Sequence, residues 1–290
     1  MSAMPPPVVV GVGRGGSPTV VDHAAREALR LDRPLHLVHA DGAEATGVPS
    51  GAAVLAAAAE RARGAVAARV PVTTTLSSEP PLVALVSAAA GAALVVVGRA
   101  PRRSHPYLRS VTGGVGAWVP VPVLSVPDDS ALRGGRPRVV VGFDEGVNCG
   151  EALVEAFAVA RACGAALTLL ATWWHPTGPN RRPLTAVEDA RKPAGIRAGV
   201  DRATTSLRGW YPDVPVEVRV VHAPAGEALI EASHEADLVV LGRHQPLLPT
   251  GSHLGPVARA VLREASCPVL LTTPVDVHRV HLPGPIAQHA

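Results

Sequence analysis

The chain runs through one alternation of apolar runs and helical stretches twice, and that repeat narrows its fold more than any other feature. The first copy opens with a strand at Val8 to Val10, ended by Gly11, then a helix over Val20 to Leu31. A strand (Leu35 to Ala40), an alanine-rich helix (Ala52 to Ala68) and a strand (Val70 to Leu76) follow. A helix (Leu82 to Ala90), a strand (Leu94 to Val97) and a last strand (Val121 to Val126) complete it. The second copy has Val139 to Val141 with Gly142, a helix over Glu151 to Cys163, and a strand at Leu167 to Thr172. It goes on with a helix near Ala194 to Leu207, a strand at Val216 to Val221 and a helix at Ala225 to Glu235. Strands at Leu238 to Leu241 and Val269 to Thr272 close it.

Short Val/Leu runs of about four to six residues read as strands buried on both faces, as in a parallel sheet covered by helices. Right-handed crossovers leave few other arrangements. The expected fold is therefore α/β: two tandem doubly wound, Rossmann-like domains, each a five-stranded, mainly parallel sheet flanked by helices. We place the first domain at 1–127, a linker at 128–137 and the second domain at 138–274. The linker is rich in Pro, Asp and Gly, and the tail 275–290 lacks periodicity and is expected to be loosely ordered.

Composition supports two packed domains rather than a disordered chain, since 47% of the 290 residues are hydrophobic and only 18% charged. Only 3% are aromatic, so Ala, Val and Leu must supply the core. A net charge of +3 with interspersed signs gives no footprint for nucleic acid or an anionic membrane. The uncharged stretch Pro80 to Gly98 nears spanning length, but Gly91 interrupts it and a helix followed by a buried strand explains it. Cys149, Cys163 and Cys267 are widely spaced and form no CxxC pair, which fits a reducing cytoplasm. Met1 to Pro7 reads as neither signal nor leader.

In an open parallel sheet, ligands sit beyond the carboxyl ends of the strands at the topological switch point. After the first strand comes Gly11-Val12-Gly13-Arg14-Gly15-Gly16, a literal GxGxxG, with Asp41 as a possible ribose acceptor. Against a dinucleotide site, Ser17-Pro18 looks like an N-cap and first-turn proline, which starts the helix after the glycines. The second copy, Gly142-Phe143-Asp144-Glu145-Gly146, lacks the pattern. A glycine-rich turn is the simpler reading. A Walker A motif needs a phosphate-reaching lysine, and the only lysine, Lys192, stands in Arg-Lys-Pro-Ala-Gly.

After the fourth strand of the second copy comes Gly242-Arg243-His244-Gln245, then Gly251-Ser252-His253-Leu254-Gly255-Pro256 and an amphipathic run to Leu262. Cys267-Pro268-Val269 leads into the fifth strand. Here the sequence resembles the universal stress protein family. That family's hallmark is a glycine after the fourth strand, a second three residues on, then nine residues and Gly-Ser/Thr opening a helix. Gly98, then Ser110-Val111-Thr112, then Val121-Pro122-Val123 align the first copy to the same frame. The resemblance covers nearly the whole chain as two modules.

The resemblance implies an ATP site in which an Asp after the first strand meets the adenosine. The glycine loop and a hydroxyl then hold the phosphates, at a helix N-terminus suited to anions. Carried over, the second copy keeps Asp144, Gly242 and Gly255, with Phe143, Leu170, Arg243 and Val257 beside them; Gln245 replaces the second glycine and Pro256 the hydroxyl. The first copy keeps Gly98, Ser110, Val111 and Thr112, but has Gly13 for the Asp, Pro101 for the second glycine and Arg109 for the third. Weak, altered or absent ATP binding is therefore expected, with Mg only alongside nucleotide and the second copy the better candidate. The resemblance also implies pairing of modules through their fifth strands, here internally between Val121 to Val126 and Val269 to Thr272, with a homodimer possible.

The remaining polar residues fit no catalytic pattern. His36 and His39, three apart on a strand, face opposite ways, and scattered histidines explain the rest better than a metal site; His244 and His253 flank the glycine loop. Asp144 and Glu145 are adjacent, which is not an acid/base geometry. Trp173-Trp174 either lines an adenine site or caps the sheet end. No nucleophile pattern is present, and the resemblance implies a cytoplasmic nucleotide-binding regulatory module of the stress response rather than an enzyme. An interaction module without nucleotide and an NAD(P)-dependent enzyme using Gly11 to Gly16 are the alternatives.

Overall fold

The computed structural model describes residues 5–41, 50–99, 111–128, 130, 134–144, 149–174, 186–244 and 254–275. The first half contains β1 (Val8–Val12), α1 (Pro18–Leu31), β2 (Leu35–Ala40), α2 (Gly51–Val66) and β3 (Val72–Ser77). It continues with α3 (Pro81–Ala89), β4 (Leu94–Arg99), α4 (Val111–Trp118) and β5 (Val123–Pro127). The second half repeats the order as β6 (Arg138–Phe143), α5 (Gly150–Cys163), β7 (Ala166–Trp173), α6 (Ala186–Trp210) and β8 (Val216–His222). It ends with α7 (Ala225–Ser233), β9 (Leu238–His244), α8 (Pro256–Glu264) and β10 (Val269–Val275).

All ten strands join one sheet in the order β3-β2-β1-β4-β5-β10-β9-β6-β7-β8. Within each half the strands are parallel, and the halves meet where β5 and β10 pair antiparallel, Leu270 opposite Leu124. This is the internal fifth-strand pairing anticipated above. It gives each fifth strand a partner on the side that would otherwise be an open edge.

Alternation along each strand feeds two layers. Val8 and Val10 of β1 pack with α1 and α2 on one face, joined by α5 and α6 of the second half. Val9 packs on the other face, among residues of α3, α4, α7 and α8. Both layers hold residues from both halves, so the core runs through the junction without a break.

The inner strands are buried on both faces, as the apolar runs suggest. β3 is an edge, however, and is mostly exposed along its length, while β8 at the other edge is only partly covered. Threonines at 73, 74 and 75 suit that half-wet position. At the start of α1, Pro18 takes the first helical turn as expected, but Ser17 does not cap through its side chain. It sits left-handed at φ 45, and its hydroxyl accepts a hydrogen bond from the Gly13 N–H instead. No described helix is long and apolar enough to cross a membrane.

Candidate functional site

The second half forms a cleft of about 230 Å³ where β6, β7 and β9 end beneath α7 and α8. Its floor is apolar, with Phe143 from β6, Leu170 from β7, Leu241 from β9 and Leu229 from α7. Gly142 permits that closeness: a Cβ there would meet Leu241 Cδ2 at 3.1 Å and Leu229 at 3.5 Å. Asp144 follows β6 directly and places an exposed carboxylate at the rim. Opposite it lie Gly242 at the end of β9 and the start of α8, where Gly255 is the N-cap and Pro256 begins the helix.

That helix start has reduced donor capacity. First-turn N–H groups have no partner within a helix, and Pro256 contributes none, which leaves Val257 and Ala258 to face an anion. Cys149, N-cap of α5, also lines the cleft, and burial pushes its thiol above the ordinary cysteine range. Arg243 lines the cleft too, but its guanidinium points away from it. Its Nε donates to the Thr272 carbonyl at 2.6 Å, and its terminal nitrogens donate to the carbonyls of Gly116 and Val119 at 2.9 Å and to that of Val121. Burial lowers its pKa to about 10, so the group stays charged at neutral pH.

The first half has a related cleft of about 360 Å³, lined by Gly11, Gly13, Val38, His39, Gly98 and Val111 among others. His39 is buried, and its Nδ1 lies 2.8 Å from the Val12 carbonyl, which fixes the ring. Thr112 spends its hydroxyl on the Gly98 carbonyl at 2.7 Å, tying α4 to the end of β4. The dinucleotide fingerprint has little support in this geometry. Its third glycine should let helix and strand pack closely, yet a Cβ on Gly16 would meet nothing within 4 Å. Asp41 presses its carboxylate on the start of α2, 2.7 Å from where a Gly51 Cβ would stand.

Of the residues singled out from sequence, Phe143, Asp144, Leu170, Gly242, Arg243, Gly255 and Val257 all line the second cleft. Gly98 and Val111 line the first, whereas Thr112 turns inward. Ser110, Pro101, Arg109, Gln245 and His253 fall outside the described residues, as does most of the tail. Trp173 stacks flat on His222 of β8, with centroids 3.9 Å apart and planes 6° apart, and Trp174 is about half exposed beside it. The pair therefore caps the sheet end. His36 and His39 do face apart, the first reaching Thr73 Oγ1 at 2.8 Å.

Sequence reasoning missed Cys149, Thr172, Ala225 and Leu229 as lining residues. Leu229 was traceable from the apolar face of α7, while Cys149 carries no motif. Among the described residues, no group of three or more His, Cys, Asp or Glu is placed to hold a metal ion.

A family model described as the universal stress protein family matches residues 135–273. A universal stress protein of Mycolicibacterium smegmatis is 30% identical over 295 residues, covering 92% of this chain and 97% of that protein. One of Mycobacterium tuberculosis (H37Rv) is 34% identical over 52% of this chain and 48% of its own length. Among solved structures, a universal stress protein from Archaeoglobus fulgidus has a TM-score of 0.60 at 14% identity, covering 92% of this chain and 96% of its own. A functionally unknown protein from Pseudomonas aeruginosa PAO1 scores 0.58 at 17% identity, covering 92% of each. These two share the fold. With the near full-length match to the mycobacterial relative, the repeat, the topology and the two clefts have one explanation: the chain belongs to the universal stress protein family.

Proposed function

We propose that the second-half cleft binds an adenine nucleotide and that the protein works in the cytoplasm as a nucleotide-responsive regulatory module rather than as an enzyme. The observation that carries this reading is the convergence of Asp144, Gly242 and the start of α8 on one cleft with an apolar floor. A purine fits against Phe143, Leu170 and Leu229, and the Asp144 carboxylate accepts from ribose hydroxyls. Phosphates then lie toward Val257 and Ala258 at the positive end of α8. Mg accompanies the nucleotide rather than a site of its own.

The phosphate end is the degraded part. Pro256 removes a hydroxyl and an N–H, and Arg243 supplies its charge elsewhere. The phosphates therefore rest on the remaining N–H groups of the α8 start, and ATP binds more tightly than adenosine by a modest margin only. In the first half Gly13 stands where the ribose-binding carboxylate would be, so that cleft is the weaker candidate. Among the described residues of the second cleft none is placed as a base for activating water, and turnover is slow or absent.

The Pro256 substitution also favours a second reading, an interaction module without nucleotide. Thermal melting of nucleotide-free protein separates the two. A rise in melting temperature with Mg-ATP that Asp144→Ala removes supports the proposal. No rise with any adenine nucleotide favours the interaction module, and a rise with NAD(H) alone that Gly13→Ala removes would revive the dinucleotide reading.

A further inference from the structure

Arg99 and Arg243 each follow the glycine near the end of the fourth strand of their half, and both side chains cross the junction. Arg99 donates to the carbonyls of Leu262, Ala265 and Cys267 at 2.7–2.9 Å, with a longer contact of 3.4 Å to Val261. Arg243 donates to those of Gly116, Val119 and Val121. The two carbonyl sets have the same spacing and the same place, from the last turn of α4 or α8 to two residues before the fifth strand. Both arginines are buried, at 7% and 2% exposure, so these bonds form in a low-dielectric setting where a cation at a helix C-terminus is worth most.

The opposite end of each helix is a cleft wall. α8 is nine residues long, with Pro256, Val257 and Ala258 lining the second-half cleft at its start and Arg99 of the first half holding its end. α4 lines the first-half cleft at Val111, and Arg243 of the second half holds its end. Gly98 and Gly242, the residues before the two arginines, themselves line the clefts. Leu254, beside the N-cap Gly255, adds a contact: its Cδ1 lies 3.3 Å from where a Cβ on Gly116 of α4 would stand. A helix this short moves as a rigid piece, so its clamped end sets the position of its cleft end.

We propose that Arg99, a residue of the first half, is a positioning residue for the second-half cleft, and that crossed arginine clamps make each half's cleft depend on the other half. This rests on the second-half cleft being the nucleotide site. Arg99 touches no ligand; it acts through α8. Binding that draws Val257 and Ala258 toward phosphate also tightens the Arg99 end, and by linkage the reverse holds.

The test compares wild type, Arg99→Met, and Leu37→Ala, which lowers stability from the buried β2 of the same half without touching α8. Mg-ATP affinity is measured by calorimetry, and the alkylation rate of Cys149 is measured without ligand. Arg99→Met is expected to weaken ATP by about fivefold or more and to speed Cys149 alkylation, with Leu37→Ala within about twofold of wild type in both. Arg99→Met indistinguishable from wild type, or matched by Leu37→Ala, overturns the proposal. If wild type binds no ATP, the nucleotide reading fails, and the Cys149 rates alone decide the clamp by the same comparison. If Arg99→Met does not fold, Arg99→Lys, whose single ammonium cannot span four carbonyls, replaces it under the same criteria.

Discussion

Arg243 donates a hydrogen bond of 2.9 Å to the carbonyl of Gly116, 127 residues earlier and in the other half of the chain. The bond belongs to a set in which one guanidinium donates to four backbone carbonyls, three of them in the other half. Truncation removes the charge and strands the carbonyls in a buried junction. Arg243→Met should therefore cost about 3 kcal/mol of stability, and Arg243→Lys about half of that. Urea unfolding checks both, and a loss under about 0.5 kcal/mol would contradict the clamp's structural weight.

Gly116 lets the halves approach closely. A Cβ there would stand 3.1 Å from Leu271 Cδ1 and 3.3 Å from Leu254 Cδ1, both second-half residues. Gly116→Ala needs these leucines to shift by a few tenths of an ångström, whereas Gly116→Val adds two methyl groups into the same space. The valine variant should lose about 1–3 kcal/mol and the alanine variant clearly less, read as urea midpoints at unchanged slope.

His23 on α1 gives the chain an acid-sensitive element. Burial holds its pKa down at about 4 against an ordinary 6.5, with Arg26 adding to the effect. The unfolded chain thus binds the proton more readily than the folded one between those values. Stability is kept above about 6.5 and lost as pH falls toward 4. Since the side chain is only partly buried, the loss from pH 7 to pH 5 should be about 1 kcal/mol greater in wild type than in His23→Gln. Asp22 contributes in a lower window: its bond to Arg61 holds the carboxyl below its ordinary value, and that support fades as pH falls through this lowered value.

Pro256→Ser restores both a hydroxyl and a backbone N–H at the first turn of α8. ATP affinity should rise about tenfold while adenosine affinity stays unchanged, since only phosphate gains partners. Parallel titrations with the two ligands check this. An equal gain for adenosine would mean that the phosphates do not lie at α8.

Much of this architecture was legible in the sequence because period and punctuation agreed. Val8 to Val10 and Val139 to Val141 are too short and too apolar for anything but inner parallel strands, and each ends at a glycine. The second cleft was legible through spacing, since Asp144, Gly242 and Gly255 converge as the family frame implies. Arg243 was half legible: it lies at the cleft, but nothing local to Gly242-Arg243 shows its guanidinium crossing to carbonyls over 100 residues away. Such partners are fixed by the β5–β10 register, a tertiary outcome. Trp173 was undecided for a similar reason, because its stacking partner His222 is set by the register of β7 against β8.

The most direct test of the account is calorimetric titration of Mg-ATP into nucleotide-free wild type and Asp144→Ala. Wild type is expected to bind saturably at about micromolar strength, near −8 kcal/mol, and the variant to lose that binding. Absence of heat in wild type, or equal binding by both, would contradict the assignment of the second-half cleft as the nucleotide site.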